Sequence, residues 1–241
     1  KGRSLFPENP VRRLSHTRAW YRVDRRRTVI KPDQIKEWMG AVLRLADTPD
    51  RAPGEGKHKP RLKQGALARD YFLLVLLTGL RRTEALALRW EDVDLKARTL
   101  TVHDPKNRQP HTLPLPDYLV SLLKRRKAES GDKHVFSSAD DARFSNMRFT
   151  MDRVIEDSGV KFCIHDLRRT FATVADSLDI PGYAVKALLN HKMTGDVTAG
   201  YIVTNVERLR EPMQKVTDYI LKCAGLKESA GVVPLRGKKV S

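Results

Sequence analysis

The strongest constraint on the fold is a continuous apolar run at residues 71–77, which a Thr-Gly pair and two arginines follow closely. A run of this length is far shorter than the ~20 apolar residues that cross a membrane, so it is expected inside a folded protein. The Thr-Gly pair has the composition of a turn. We therefore predict a buried helix over 66–77, a turn, and a second helix that carries Leu86 and Leu88.

The composition indicates a folded, globular protein whose net charge attracts a polyanion. The chain has 241 residues, of which 40% are hydrophobic, enough for one large domain or one domain with arms. Its 46 Lys and Arg outnumber its 29 Asp and Glu, which gives a net charge of +17. Such an excess attracts nucleic acid over long range. Charge indicates no chemistry, and a generically basic protein stays an alternative.

Several classes of function find no support in the sequence. The two cysteines, Cys163 and Cys223, lack the paired spacing of a zinc site and are interpreted as reduced thiols. A Pro-, Gly- and Lys-rich loop is predicted at 49–65, and its GEGK segment lacks the spaced glycines and the Lys-Ser/Thr ending of a P-loop. No carboxylate cluster suits magnesium. The sequence therefore offers no motif for a metal ion or a cofactor.

The two ends of the chain differ in composition from its centre. Residues 1–30 are dense in arginine, and we interpret them as a basic linker or arm. Trp20 and Tyr21 in this arm either stack on bases or pack the arm onto the domain. Nothing at the start resembles a secretory signal, and we expect a fragment of a longer intracellular protein. Residues 225–241 are expected to be loosely held.

Hydrophobic periodicity predicts a mainly α-helical domain with a small antiparallel β-sheet. The period changes to two at 99–102 and 111–115, which we predict to be short strands joined by a connection centred on 106–108. Further helices are predicted at 32–46, around Tyr118 to Leu123, from Phe144 to a stop at Gly159, and at about 166–178 and 183–190. A final pair of helices is predicted after Tyr201, and Pro212 is expected to start or kink the second of them.

Arg81, Arg82 and Glu84 stand where the apolar run ends. A guanidinium group offers a planar fork of donors that matches phosphate oxygens, and the core beneath a helix start can hold such a group rigidly. Glu84, one turn further on, can orient Arg81. Solvated pairs of arginine and glutamate with no function are common. This pair alone therefore does not decide between a phosphate-binding arginine and a solvated ion pair.

A second basic cluster lies in the segment FCIHDLRRTFAT. His165 and Arg168 are three residues apart, so on a helix they project the same way, close to an N-terminus that favours an anion. With Arg81 they form a candidate phosphate clamp. Further on, His191 follows an apolar helix and Tyr201 follows a loop with Gly and Thr. Each of these two could equally be a packing residue.

Taken together, these segments resemble the tyrosine recombinase family, in particular the phage integrases. The shared features are TG-x-R-x-x-E, a lysine between two strands, H-x-x-R, a histidine and a tyrosine, in that order. The segments HDLRRTFAT and TGLRRTEALALRWEDVDL are the most family-like. The resemblance implies a tyrosine recombinase catalytic domain at 31–221. It also implies that 1–30 connect to an N-terminal DNA-clamping domain and that the tail at 222–241 contacts a neighbouring subunit.

The resemblance further implies how the basic residues act on DNA. Arg81 and Arg168 would bind the non-bridging oxygens of a scissile phosphate. His165 and His191 would complete the cage of hydrogen bonds around it. Glu84 would support Arg81. Such preorganised donors would stabilise the negative charge that develops on a five-coordinate phosphorus.

The same resemblance makes Tyr201 the nucleophile, which forms a 3′-phosphotyrosine link and frees a 5′-hydroxyl. Lys106 would be the general acid that protonates the leaving oxygen, and His165 is a candidate acceptor for the tyrosine proton. This chemistry would need neither ATP nor a metal ion. Two departures from the family pattern are Asn190, where glycine is common, and a spacing from His191 to Tyr201 that is one residue longer than usual.

We therefore expect a phage-type integrase that acts on double-stranded DNA, as a homo-tetramer on DNA and as a monomer in the form of this fragment. The resemblance places it in the cytoplasm of a bacterial host cell, associated with the nucleoid, with no membrane role. Two alternatives stay open. One is DNA relaxation like that of a type IB topoisomerase. The other is a non-catalytic regulator in which the two helices of FATVADSLDIPGYAVKALLNH form a helix-turn-helix.

Overall fold

The computed structural model of the protein describes residues 28–47, 64–105, 110–129, 133–136, 147–191 and 205–228. Within these ranges the chain is mostly helical, and three short strands form one antiparallel sheet. Short turns of 3-10 helix, Pro32–Gln34 and Leu45–Asp47, flank the first helix. The labelled elements are α1 (Ile35–Arg44), α2 (Gln64–Thr78), α3 (Arg82–Ala87), β1 (Val93–Asp94), β2 (Thr99–Val102), β3 (His111–Pro114), α4 (Asp117–Glu129), α5 (Arg148–Ser158), α6 (Ile164–Ser177), α7 (Gly182–Leu188) and α8 (Val206–Cys223).

Helix α2 forms the centre of the core. Residues 71–77 are each at most 1% exposed, and apolar side chains surround the helix instead of forming one stripe, as in other fully buried helices. Helix α6 packs along α2, and α1, α3, α4 and α8 also contact it. The predicted buried helix is confirmed. It begins at Gln64, slightly inside the segment 49–65 that was predicted as a loop.

Gly79 ends α2 and directs the chain toward the basic cluster. Its φ is +66°, a left-handed conformation that glycine adopts without a steric penalty. Its N–H donates to Val75 O at 2.9 Å. A Cβ added to this glycine would lie 2.8 Å from Phe171 Cδ1 and 2.9 Å from Leu189 Cδ2. Both the backbone conformation and the available space therefore require glycine at the predicted turn.

We expect Gly79→Ala to lower the free energy of unfolding by about 2–5 kcal/mol. The left-handed conformation costs about 1–2 kcal/mol, and overpacking costs about 1–3 kcal/mol. Gly159→Ala is a matched control, because Gly159 has a φ of +70° but nothing within 4 Å of the added Cβ. This variant should therefore lose only the free energy that the left-handed backbone costs an alanine. Urea denaturation of both variants measures the difference. Equal losses would rule out the crowding against Phe171 and Leu189.

The sheet has the order β1-β2-β3 with antiparallel neighbours. Leu100 of β2 lies opposite Val93 on one side and Leu113 on the other. Leu100 and Leu113 are fully buried, so this face of the sheet packs onto the core. Strands β2 and β3 confirm the predicted antiparallel pair. Strand β1 was not predicted, because two residues are too few to show a period of two.

Helix α8 corrects one prediction. A pair of helices was predicted after Tyr201, with Pro212 at the start of the second or at a kink in it, but from Val206 onward one helix contains Pro212 in its interior. Proline cannot donate to the carbonyl one turn earlier. The apolar residues on both sides of it nevertheless share one buried face, and their packing keeps the helix continuous. These residues are Leu209, Met213, Val216 and Ile220.

The chain is fastened to α6 at the end of the predicted arm of residues 1–30. Thr28 Oγ1 donates to Asp166 Oδ1 at 2.7 Å. The N–H of Ile30 donates to Thr170 Oγ1 at 2.9 Å. Ile30 itself is 3% exposed. The segment that enters the domain is therefore held against the helix that contains the HDLRR motif.

The remaining predicted helices are confirmed with small changes at their ends. Helix α3 ends at Ala87, so Leu88 lies just beyond it. Gly159 ends α5 in a left-handed conformation, with a φ of +70°. No described helix is long and apolar enough to cross a membrane. Predictions for most of the arm, for the loop up to residue 63, for Phe144 and for the end of the tail lie outside the described residues.

Candidate active site

Arg81 lies between the Gly79 turn and α3, and Glu84 holds it in place. Glu84 Oε2 accepts a hydrogen bond from Arg81 N at 2.9 Å, and Oε1 accepts one from Arg81 Nη1 at 2.8 Å. Glu84 is 8% exposed, so one buried carboxylate both caps the start of α3 and orients the guanidinium. A guanidinium has five N–H donors, and the bond to Glu84 uses one of them.

The guanidinium of Arg168 joins three segments of the chain. Arg168 is 7% exposed, and its Nη1 donates to Gly79 O. Its Nη2 donates to Leu189 O at 2.6 Å and lies 3.2 Å from His191 Nε2. Because a guanidinium only donates, His191 Nε2 accepts this bond, and the proton of the neutral imidazole is on Nδ1. One buried side chain thus holds together the end of α2, the end of α7 and His191.

His165 lies in the first turn of α6 and is exposed. Asp166 caps this helix start, since its Oδ2 accepts a hydrogen bond from Cys163 N at 2.9 Å. Asp166 Oδ1 accepts another from Arg169 Nη1 at 2.8 Å. The first N–H groups of an α-helix lack acceptors within the helix. His165 therefore stands where the backbone itself favours an anion.

The electrostatic environment of these residues is strongly positive. Burial, followed by the charge of Arg81, lowers the pKa of Arg168 to about 10, and Glu84 acts in the opposite direction. Burial also lowers the pKa of His191, and both arginines lower it further. His165 is exposed as a residue, but partial desolvation of its imidazole, followed by the charges of nearby arginines, lowers its pKa. Near pH 7 both histidines are therefore neutral, while Arg168 stays charged.

A cleft of about 460 Å³ opens beside this cluster. Its lining combines guanidinium and imidazole groups with apolar side chains. An oxyanion such as a DNA phosphate can approach the donors from this side, because charge-assisted hydrogen bonds from arginine match its oxygens. The lining includes Arg81, His165 and Arg168 together with Leu80, Met147 and Met151.

His111 also belongs to this cluster, although it was not predicted from the sequence. It is the first residue of β3, and its Nε2 lies 3.2 Å from Leu188 O. The charges of Glu84, Arg168 and Arg81 act on its imidazole. A single histidine at the start of a strand belongs to no motif, so no signal in the sequence identifies it.

Lys106 and Tyr201, two of the predicted site residues, lie outside the described residues. The structure describes the strands on both sides of Lys106, which are β2 and β3, and the chain before Tyr201 as far as His191. Their predicted roles stay predictions. The predicted site residues that the structure brings together are Arg81, Glu84, His165, Arg168 and His191.

Asn190 has a left-handed conformation, with a φ of +50°. Its N–H donates to Ala187 O at 3.1 Å, and the N–H of His191 donates to Lys186 O at 2.9 Å. Glycine adopts this conformation most readily, and asparagine is among the residues that tolerate it best. The geometry explains how asparagine can occupy a position where the tyrosine recombinases commonly have glycine.

The described part of the chain contains no group of three or more His, Cys, Asp or Glu side chains that could hold a metal ion. The buried carboxylates of the site, Glu84 and Asp166, instead accept hydrogen bonds at the starts of α3 and α6. Each also forms an ion pair with an arginine, Arg81 and Arg169 respectively. They therefore fix basic residues in place.

The sequence profile of the phage integrase family matches residues 32–208. The prophage integrase IntF of Escherichia coli is 26% identical over 204 residues, which cover 82% of this chain and 40% of that protein. The tyrosine recombinase XerA of Thermococcus kodakarensis is 28% identical over 158 residues, which cover 61% of this chain and 55% of that protein. The chain thus spans about half of these relatives, or less.

Solved structures show the same fold. The integrase from mycobacterium phage Brujita matches with a TM-score of 0.55 and 23% identity, over 86% of this chain and 67% of that one. The XerH site-specific recombinase bound to its difH substrate matches with a TM-score of 0.53 and 18% identity, over 84% of this chain and 53% of that one. Because the family profile covers most of the sequence as well, this chain belongs to the phage integrase family.

Proposed function

We propose that this protein performs site-specific recombination of double-stranded DNA, by cleaving strands and rejoining them through a 3′-phosphotyrosine intermediate. The observation that supports this most directly is the convergence of Arg81, His165, Arg168 and His191 beside one open cleft. Membership of the phage integrase family supports the same conclusion. Relatives are named as a prophage integrase and as tyrosine recombinases, and the XerH structure holds a DNA substrate.

The first step of this reaction is the binding of a scissile phosphate. Arg81 and Arg168 contribute donors to its non-bridging oxygens, and both are oriented in advance by the protein. His165 and His191 complete the set of donors and acceptors around the phosphate. As a fifth oxygen approaches phosphorus, negative charge grows on the equatorial oxygens. Donors that are already in place stabilise this charge without reorganisation.

Tyr201 and Lys106 carry the covalent chemistry in this proposal. The phenolic oxygen of Tyr201 attacks phosphorus and forms the new P–O bond, while the P–O5′ bond breaks. The phenolic proton passes to His165, whose lowered pKa leaves it neutral and able to accept a proton near pH 7. Lys106 gives a proton to the departing 5′ oxygen. Attack of a 5′-hydroxyl from the partner strand reverses these steps and rejoins the DNA.

The energy of the cleaved phosphodiester is retained in the tyrosine–phosphate bond. Rejoining is therefore close to isoenergetic with cleavage, and we propose that the reaction requires neither ATP nor a metal ion. The positive charge that a metal ion would bring to the phosphate comes in this proposal from the guanidinium groups of Arg81 and Arg168.

The proposed organisation has a catalytic domain at 31–221, a basic arm at 1–30 that connects to an upstream DNA-clamping domain, and a tail at 222–241 that docks on a neighbouring subunit. We propose a homo-tetramer on two DNA duplexes and a monomer without DNA. The location proposed for it is the bacterial cytoplasm, at the nucleoid. The net charge of +17 supports DNA as the partner.

The regulator with a helix-turn-helix is a less well supported alternative. Helices α6 and α7 match its two-helix pattern. Arg168 of α6, however, directs its guanidinium to Gly79 O and Leu189 O inside the protein, and Glu84 orients Arg81. A helix that reads a DNA groove requires neither contact. Relaxation like that of a type IB topoisomerase shares the proposed chemistry, and strand exchange between two duplexes distinguishes recombination from it.

The proposed reaction predicts cleavage in the presence of EDTA and without any nucleotide. Nicked duplexes that carry candidate attachment sequences should give a covalent protein–DNA adduct under these conditions. The released strand should carry a 5′-hydroxyl, which polynucleotide kinase labels without prior phosphatase treatment. A requirement for Mg²⁺, or a released strand that ends in a 5′-phosphate, would contradict the proposal. A duplex of scrambled sequence serves as the control for site specificity.

A further inference from the structure

His111 connects the β-sheet to the end of α7. Its Nε2 lies 3.2 Å from Leu188 O, across 77 residues of sequence. A carbonyl oxygen only accepts hydrogen bonds, so Nε2 carries the proton in this contact. Leu188 is the last residue of α7, and carbonyls in the last turn of a helix lack donors within the helix. His111 supplies the donor from outside.

The next carbonyl along the chain is held from another element. Leu189 O accepts the hydrogen bond from Arg168 Nη2 at 2.6 Å, and the same nitrogen contacts His191 Nε2. Two consecutive carbonyls are thus fixed by two side chains, His111 from β3 and Arg168 from α6. The left-handed Asn190 then turns the chain so that His191 returns to Arg168.

We propose that His111 is a positioning residue, whose Nε2–H holds the carbonyl of Leu188 and thereby keeps Leu189 and His191 in register with Arg168. The effect of this hydrogen bond on catalysis rests on the proposed recombinase function. Its effect on the arrangement of Arg168 and His191 is independent of that function. His111 contributes no contact to the DNA in this role. It acts through the end of α7.

The surroundings of His111 favour a neutral donor. Burial lowers the pKa of its imidazole, and Arg168 and Arg81 lower it as well, while the Leu188 carbonyl and Glu84 act in the opposite direction. With Nε2 protonated, the neutral ring has no proton on Nδ1. His111 therefore provides a directed hydrogen bond without adding a further positive charge next to the two arginines.

Three substitutions separate the hydrogen bond from the volume of the ring. The amide nitrogen of glutamine can take the place of Nε2 and donate to Leu188 O. The amide nitrogen of asparagine corresponds to Nδ1 instead and cannot reach that oxygen. Leucine fills part of the space with no donor. We therefore expect H111Q to behave like the parent, and H111N and H111L to lose the connection.

The first measurement does not depend on activity. Imidazole titration by NMR reports the pKa of His191, which burial and the arginines hold low, and H191Q assigns its signal. In H111N and H111L we expect this pKa to rise toward its ordinary value, because the end of α7 moves away from Arg168. In H111Q it should stay as in the parent. An unchanged pKa in H111N and H111L, or the same rise in all three variants, would overturn the proposal.

The second measurement is the rate of adduct formation at saturating DNA. A small misplacement of reacting groups slows a reaction strongly, so H111N and H111L should be slower by roughly 10-fold or more, with H111Q within roughly threefold of the parent. DNA affinity should be the same in all four proteins. Equal rates in H111N and H111Q would overturn the catalytic consequence. If the titration gives the expected result but the parent forms no adduct, the recombinase function fails and the positioning role stands.

Thermal unfolding shows whether each variant folds. The pair H111N and H111Q decides the outcome if H111L does not fold, because both replacements are polar amides that differ mainly in reach. A loss of stability shared by H111N and H111Q, together with identical His191 titrations, would assign His111 a packing role only and overturn the inference.

Discussion

Arg168→Lys is expected to slow DNA cleavage by about 100-fold to 1000-fold, because it removes a preorganised donor to the phosphate in the transition state. In the structure the guanidinium spans Gly79 O and Leu189 O and still has further N–H groups. A lysine ammonium is a single point of charge and cannot reproduce this fork. Rates of adduct formation at saturating DNA measure the effect, and the affinity for DNA should change little.

Arg126→Lys is the matched control for this substitution. Arg126 is also buried and also donates to a main-chain carbonyl, Val135 O, at 2.6 Å. It pairs with the buried Asp70 of α2 and is absent from the lining of the cleft. Arg126→Lys should lower the free energy of unfolding without slowing DNA cleavage by the folded protein. Equal slowing in the two variants would show that Arg168 acts only through the fold.

The elements that the sequence predicted well are those whose signal is local. Residues 71–77 are apolar on every side, and such a run has no stable position except the core. Gly159 and Gly79 mark helix ends, and the structure shows both glycines in left-handed conformations. In these places the composition of a few residues determines the local structure, so pattern and outcome agree.

Tertiary packing decided the elements that the sequence did not predict. Pro212 is a local signal to end a helix, yet the buried face from Leu209 to Ile220 keeps α8 continuous through it. Val93 and Asp94 form a strand only because Leu100 and Thr99 of β2 lie opposite them. Neither outcome can be derived from the segment alone, since packing against the rest of the domain supplies the free energy that stabilises the helix or the strand.

In the candidate site, too, residues in local motifs were predicted and residues that depend on tertiary contacts were not. Arg81, Glu84, His165 and Arg168 were recognisable because their spacing forms motifs. The partners that orient Arg168 were not, because Gly79 and Leu189 contribute main-chain carbonyls, which leave no trace in residue type. His111 is a similar case. A hydrogen bond between β3 and the end of α7 depends on the arrangement of the whole domain.

The largest effect is expected at Tyr201. Its phenolic oxygen is the atom that bonds to phosphorus in the proposed intermediate, and no neighbouring group can replace it there. Tyr201→Phe removes this oxygen and keeps the aromatic ring. We therefore expect complete loss of the covalent adduct, together with unchanged binding of DNA, since the basic residues that contact phosphates are untouched.

Covalent trapping on a nicked duplex tests whether Tyr201 joins the DNA through a 3′-phosphotyrosine bond. The scissile strand carries a label at its 5′ end, and the short fragment released at the nick diffuses away, so that rejoining cannot occur. After denaturation, the proposed reaction gives a labelled protein–DNA adduct with the parent protein and none with Tyr201→Phe. A label at the 3′ end should instead remain on free DNA. An adduct that persists in Tyr201→Phe, or one that retains the 3′ label, would contradict the proposed 3′-phosphotyrosine intermediate.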